Sequence, residues 1–283
     1  MVFDTILLRY GELFLKARNK KMFEQKLAEN IGKIALKNGF SGLKVTNTRG
    51  RLLMPYFSGY TVLRRVFGLI SYSPAVRVEK NTGQIQEKAV EMLRDRKGTF
   101  RVSTKRSDKS FPITSLELNK MVGMYVEKHT PLEFSFEAPD IVLEIEINQE
   151  GAYLFFETIT CGGGLPTGIE GKVILLVEDE VSLLAGLLFM KRGCNIFPVA
   201  FDEKEISLLQ EFSPVELKLQ AVKDFSELEE LAVTRNISIL VTGQVLADGA
   251  KHKTNLTIMK PLVAYSKKQI EGQLKLYRSL IPD

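Results

Sequence analysis

Apolar residues recur in this chain with two periods, and the switch between them marks out its elements. Phe3 to Arg9 alternates as a strand does, and Met22, Phe23, Leu27, Ile31, Ile34 and Ala35 then line one stripe of a helix over Met22 to Leu36. Gly39 supplies a helix stop, and Leu43 to Val45 and Arg51 to Met54 read as short strands around Asn47 to Gly50. The next stretch predicts a helix over Tyr60 to Phe67, a strand over Ser73 to Val78, and a helix over Thr82 to Asp95 with Thr82 as its N-cap. An alternating strand, Phe100 to Arg106, runs into a polar loop ending at Phe111 and Pro112. A helix over Ser115 to Val126, capped near Ser115, precedes strands at Ile141 to Ile147, with Glu144 and Glu146 on one face, and Ala152 to Glu157. This order fits an α+β layer.

Thr160 to Gly168 is the clearest break, because glycine and proline leave no regular structure. Beyond it, strand-like runs at Val173 to Val177, Asn195 to Phe201, Leu217 to Val222 and Ile237 to Thr242 alternate with helical patterns at Ser182 to Lys191, Glu203 to Gln210 and Phe225 to Thr234. A last helix covers Ser266 to Ser279. Alternating strands and helices imply a parallel sheet.

Composition is that of a soluble globular protein, with 45% hydrophobic and 26% charged residues among 283. No apolar run is longer than Val173 to Val177, which is far shorter than the roughly 20 residues of a membrane span. Asp4, Arg9 and Glu12 interrupt any signal-peptide core, so the expected location is cytoplasmic. Two cysteines, Cys161 and Cys194, exclude a CxxC metal cluster and leave open whether they pair. Cys161 has no basic neighbour in sequence to lower its pKa, and Cys194 reads as a small core residue. His129 and His252 lie in different stretches and suggest neither a metal site nor a dyad.

Charge changes the picture more than composition does. Residues 1–77 hold 14 Lys and Arg against 4 Asp and Glu, whereas the rest of the chain is slightly acidic. Clustered cations gain affinity for a polyanion by releasing its counterions. Lys16, Arg18, Lys20 and Lys21 crowd the loop and first turn of the first helix, where they oppose its dipole, which points to an external anion. Arg101, Lys105, Arg106 and Lys109, with Phe111 close behind, form a second basic constellation; a basic loop with an aromatic can hold phosphates and stack a base.

The segment from Gly171 to Arg192 reads as strand, tight turn, helix, the scaffold of a phosphate-binding loop. Its turn is Glu178-Asp179-Glu180, followed by Ser182, and three carboxylates repel a phosphate while their side chains block the backbone. Gly162-Gly163-Gly164 does not follow a strand and open a helix, so it reads as a hinge instead.

Arg9-Tyr10-Gly11-Glu12-Leu13, with Lys16, Arg18, Asn19 and Phe23, resembles the start of the tRNA 4-thiouridine synthetase, or tRNA sulfurtransferase, family. Leu63 to Gly68, Ser73-Pro74-Ala75, and Lys105 to Ser115 with Glu117-Leu118-Asn119 look like that family's ferredoxin-like and THUMP domains. Gly163 to Pro166, Gly168 and Gly171-Lys172-Val173 resemble its linker and the first strand of its PP-loop domain. The resemblance implies a ferredoxin-like domain over 1–59, a THUMP domain over 60–159, a linker over 160–171 and a parallel-sheet, adenine nucleotide hydrolase-like α/β domain over 172–283.

In that family the first two domains hold tRNA near its acceptor end, and the third adenylates a uridine before sulfur replaces oxygen. The family's SGGxDS loop is lost here: Ser182 stands opposite its last serine, and both glycines and the aspartate are gone. Thr242-Gly243-Gln244 stands where a TGE-like turn is usual, and Lys260-Pro261-Leu262 keeps a later signature. The stretch from Phe201 to Leu217 is short for the family, and neither its sulfur-carrying cysteine region nor a rhodanese-like extension is matched. The expectation is a tRNA-binding protein without ATP-dependent adenylation and without a cofactor, acting as a homodimer or beside a catalytic paralogue. Its rival is a sulfurtransferase that recruits ATP and Mg differently or with a partner subunit, and a third reading is an assembly protein that binds no RNA.

Overall fold

The computed structural model describes residues 3–11, 19–48, 50–249 and 252–281. Its strands in chain order are β1 (Thr5–Tyr10), β2 (Thr46–Thr48), β3 (Arg51–Pro55), β4 (Leu69–Val78), β5 (Thr99–Arg106), β6 (Glu133–Phe134), β7 (Ile141–Asn148), β8 (Gly151–Phe155), β9 (Ile159–Thr160), β10 (Gly171–Leu176), β11 (Cys194–Ala200), β12 (Gln220–Ala221), β13 (Ile239–Val241) and β14 (Thr257–Met259). Its helices are α1 (Lys20–Lys37), α2 (Thr82–Leu93), α3 (Ser115–His129), α4 (Glu180–Lys191), α5 (Ser207–Phe212), α6 (Phe225–Arg235) and α7 (Lys267–Arg278). Residues 60–65 form a 3₁₀ helix rather than the expected α-helix. By contacts the chain forms two compact units interleaved in sequence. One comprises residues 1–9, 44–58 and 71–159, and the other residues 10–43, 59–70 and 160–283.

The first unit is built on a nine-stranded sheet in the order β2-β3-β1-β4-β8-β7-β5-β6, with β9 on β4. β5 runs parallel to β7 along its whole length, from Phe100 opposite Ile141 to Arg106 opposite Ile147. On its other side β5 pairs with β6 only at Thr99 and Phe100, so its edge is open beyond that point. Alternation sends Phe100, Val102, Leu143, Ile145 and Ile147 into a core shared with Ile85 and Ala89 of α2 and Leu118, Val122 and Val126 of α3. Asn81, not Thr82, caps α2, because its side chain accepts from the Gln84 N–H. Thr114 and Glu117 form the capping box of α3.

On the opposite face lies a buried carboxylate. Glu146, 3% exposed, receives Arg51 Nε at 2.7 Å and Arg9 Nε at 3.2 Å, and Arg9 also donates to Ser73 Oγ at 2.9 Å. The Arg9 guanidinium stacks 5.0 Å above the Phe155 ring. Glu144, on the same face of β7, accepts from Ser103 Oγ at 3.1 Å.

The second unit carries a five-stranded parallel sheet in the order β12-β11-β10-β13-β14. β14 was not anticipated, and β12 shrinks to two residues. One face packs Val173, Leu175 and Val241 against Leu184 and Leu187 of α4 and Leu274 of α7; the other packs Ile174, Leu176 and Leu240 against Leu228 and Ala232 of α6. The glycine-rich stretch is not free chain. Gly163 N–H donates to Leu69 O, Gly163 O accepts from Gly68 N–H, and Gly193 O takes the N–H groups of Gly168, Ile169 and Glu170. Neither cysteine is in a disulfide, and burial pushes the Cys161 thiol up to about 12, which keeps it protonated and unreactive at neutral pH.

Removing one member of a buried ion pair leaves its partners uncompensated. Glu146→Ala should therefore lower unfolding free energy by about 3 kcal/mol in urea titrations. A loss below about 1 kcal/mol would show that the two guanidiniums are satisfied by other means.

Candidate nucleic-acid interface

The basic loop after β5 is sorted by its own hydrogen bonds into inward and outward residues. Arg106 turns back and donates through Nη1 to the carbonyls of Phe111 at 2.5 Å and Ile113 at 2.7 Å, so its guanidinium closes the loop. Asp108, 6% exposed, accepts from Lys80 Nζ at 2.7 Å and from the Ser110 N–H and Oγ at 2.9 and 2.7 Å. The Lys80 ammonium, with Ser110, holds the Asp108 carboxyl well below the usual carboxylate range. Ser107 N–H bonds Ile147 O at 2.9 Å. Phe111 is a correction: at 5% exposure it belongs to the core with Leu118 and Ile147, so no ring face is free to stack a base. The cations that the loop exposes to solvent are Lys105 and Lys109.

A groove of about 640 Å³ runs along the open edge of β5 beside α3. Arg101 and Lys120 line it, as do Phe134 and Phe136, which are 49% and 73% exposed. Arg101 Nη1 donates to Phe136 O at 3.1 Å and so fixes the segment that carries both rings. Inside the groove, Thr104 Oγ1 and Asn119 Oδ1 are buried without a hydrogen-bond partner. Cations, two open aromatic faces and unused polar atoms are what a single-stranded nucleic acid requires. Sequence reasoning missed Lys120, Asn119, Phe134 and Phe136; the signal was the pair of phenylalanines at a spacing of two in the otherwise polar segment 133–140.

Of the other cations singled out, Lys16 and Arg18 lie outside the described residues. Lys20 and Lys21 open α1 in the second unit, where Asn19 makes no side-chain cap and the first turn has no acidic residue. Lys20 Nζ lies 3.5 Å from Glu24 in the next turn, and Lys21 is exposed.

The turn after β10 is closed from within. Asp179 caps α4 and accepts from the Ser182 N–H at 3.0 Å, while Ser182 Oγ accepts from the N–H groups of Glu178 at 3.1 Å and Asp179 at 3.4 Å. Glu180 is paired with Arg278, and Glu178 lies 3.2 Å from His252 Nε2. The backbone donors of Glu178, Asp179 and Ser182 are thus engaged by a carboxylate and a buried serine, and these acidic side chains are a poor fit for the phosphates of a nucleoside triphosphate.

Residues 5–73 match the ThiI ferredoxin-like domain, and residues 79–157 match the THUMP domain. The chain is a THUMP protein of the ThiI type. Curated relatives of this THUMP protein include the probable tRNA sulfurtransferases of Brevibacillus brevis, 37% identical over 211 residues, and Streptococcus pneumoniae, 39% identical over 212. Each match takes in 71% of this chain and 52% of the relative, so the chain spans about half the length of the curated relatives it matches. Among solved structures, PH1313 from Pyrococcus horikoshii aligns with a TM-score of 0.83 and 28% identity, over 96% of this chain and 99% of that one. A 4-thiouridine synthetase, solved as an RNA complex with bound ATP, has the same fold, with a TM-score of 0.78 and 24% identity over 99% of this chain and 86% of that one. Together these bear out the expected ferredoxin-like, THUMP and parallel-sheet architecture. Among the described residues no helix is long and apolar enough to cross a membrane.

Because Asp108 ionises more readily folded than unfolded, its contribution to loop order is fully present above about pH 4 and is lost as the pH falls further. Asp108→Asn should remove that contribution at neutral pH, seen as faster amide exchange across residues 107–113 with the core amides unchanged. Equal exchange in the two proteins would mean that Arg106 alone holds the loop.

Proposed function

We propose that this THUMP protein binds tRNA at its acceptor end and does not by itself carry out ATP-dependent adenylation. The observation that carries the reading is the groove along β5, which exposed Phe134 and Phe136 line together with Arg101 and Lys120, next to a loop whose exposed cations are Lys105 and Lys109. Unpaired bases stack on such rings while phosphates follow the cations, and a tRNA offers an unpaired end next to a duplex stem. The names of the curated relatives, probable tRNA sulfurtransferases, support tRNA as the polyanion. On this reading the segments 1–59 and 60–159 supply the RNA surface, the segment 160–171 joins them to 172–283, and the protein works in the cytoplasm.

The closed turn Glu178-Asp179-Glu180 supports the second half of the proposal, since its helix start already holds a carboxylate. Chemistry would then come from a second copy of the fold with a glycine-rich loop, or from a partner subunit that supplies ATP and Mg.

Lys105→Glu with Lys109→Glu should weaken tRNA binding at least tenfold near 0.1 M salt and reduce the slope of log K against log salt by about 2. Phe136→Ala should weaken tRNA several-fold yet leave a blunt RNA duplex unaffected. Wild-type affinity in both variants would remove the groove and loop as the RNA surface. Calorimetry should find no magnesium-dependent ATP binding with or without tRNA, and a clear signal would restore the adenylating reading.

A further inference from the structure

One edge of the second sheet is unfinished. β12 pairs with β11 only at Val199 and Ala200, so the outer edge of β11 is open from Cys194 to Pro198. The Val222 N–H bonds Ala200 O on that side, and alternation turns the main-chain groups of Pro198 and Ile196 the same way. Pro198 has no N–H, which bars a further strand from continuing the ladder there. The opening is a cavity of about 410 Å³, with residues 213–218, between α5 and β12, as its other wall. Its lining lies wholly within the second unit, and the Glu178-Asp179-Glu180 turn takes no part in it.

The cavity combines apolar walls with cations. Ile174, Phe197 and Leu231 bound it on the α6 side of the sheet, and Pro214 and Leu217 on the other wall. The cations are Lys26, Lys218 and Arg235, against one carboxylate, Glu216. The Arg235 guanidinium lies 5.2 Å from the centre of the Phe197 ring, a contact that holds it in place without using its N–H donors. Lys26 is 3.3 Å from Glu29, whereas among the described residues neither Lys218 nor Arg235 has a carboxylate partner. The Asn195 amide, also in the lining, makes no side-chain hydrogen bond among them.

A cavity of this volume falls within the range of small-molecule sites, about 300–1,000 Å³, and its apolar walls with a few convergent polar groups have the composition of one. The excess of cations calls for an anion, and a guanidinium with free donors suits a carboxylate, which it can take in a bidentate pair. A bare inorganic anion would leave the apolar walls unused, and a neutral body would leave the cations unpaired. We propose that the cavity at the open edge of β11 binds a small organic anion with a flat apolar body, of the class of an aromatic carboxylate, its carboxylate on Arg235 and Lys218 and its body against Ile174, Pro214 and Leu217. The inference is independent of the RNA reading, since it concerns other residues and another ligand.

The probes are naphthoate, its neutral counterpart naphthalenemethanol, and inorganic phosphate, titrated into the full chain by calorimetry. Naphthoate should bind in the micromolar to millimolar range, with the alcohol and phosphate each at least about tenfold weaker. Arg235→Gln combined with Lys218→Gln should weaken naphthoate at least about tenfold. Both side chains are exposed, so this variant tests the ligand and not the fold. Phe136→Ala, in the groove of the first unit, should leave naphthoate affinity unchanged. No binding of naphthoate at millimolar concentration, the alcohol or phosphate binding as tightly as naphthoate, native affinity in the double variant, or lost affinity in Phe136→Ala would each overturn the proposal.

Discussion

The carboxylate of Glu146, held between two guanidiniums, is the interaction on which the first unit depends. It joins segments far apart in sequence: Arg9 on β1, Arg51 on β3 and Glu146 on β7. A single buried negative charge would be too costly to leave alone, and two arginines from different strands compensate it only in one register. β7 in turn sets the register of β5, which places Lys105 opposite Glu146 and Arg101 opposite Val142. The groove and the basic loop therefore inherit their geometry from a charge cluster whose carboxylate is buried.

The second unit solves a related problem in a different way. The start of α4 presents backbone donors that need an acceptor, and Asp179 with Ser182 supplies it locally. With the N–H groups of Glu178, Asp179 and Ser182 engaged from within, this helix start offers fewer donors to an external anion. Cations without a carboxylate partner among the described residues, Lys218 and Arg235, stand instead beside the open edge of β11. Each unit thus leaves a strand edge open with cations next to it, β5 in one and β11 in the other.

Much of this was legible in the sequence, because alternation and helical stripes follow from burial on one face. The strands at 100–106 and 141–147 and the helices at 115, 182, 225 and 266 all form close to where periodicity places them. β14 escaped because its three residues alternate within a polar segment, and the capping of α2 moved by one residue because Asn81 competes successfully with Thr82. The basic loop was found, but the division of labour within it was not. Lys105, Arg106 and Lys109 are equivalent as sequence, and only the carbonyls of Phe111 and Ile113 decide that Arg106 turns inward. Phe134 and Phe136 reach the groove from more than 30 residues beyond Arg101, a juxtaposition set by β6 pairing with the start of β5.

The central claim is that RNA is held on the open edge of β5, and photocrosslinking of the native chain to tRNA, read out by peptide mass spectrometry, tests it most directly. The account predicts crosslinks at Phe134 or Phe136 and within residues 101–109, to nucleotides of the unpaired acceptor end. Efficient crosslinking confined to other parts of the chain, with these residues unmodified, would contradict it.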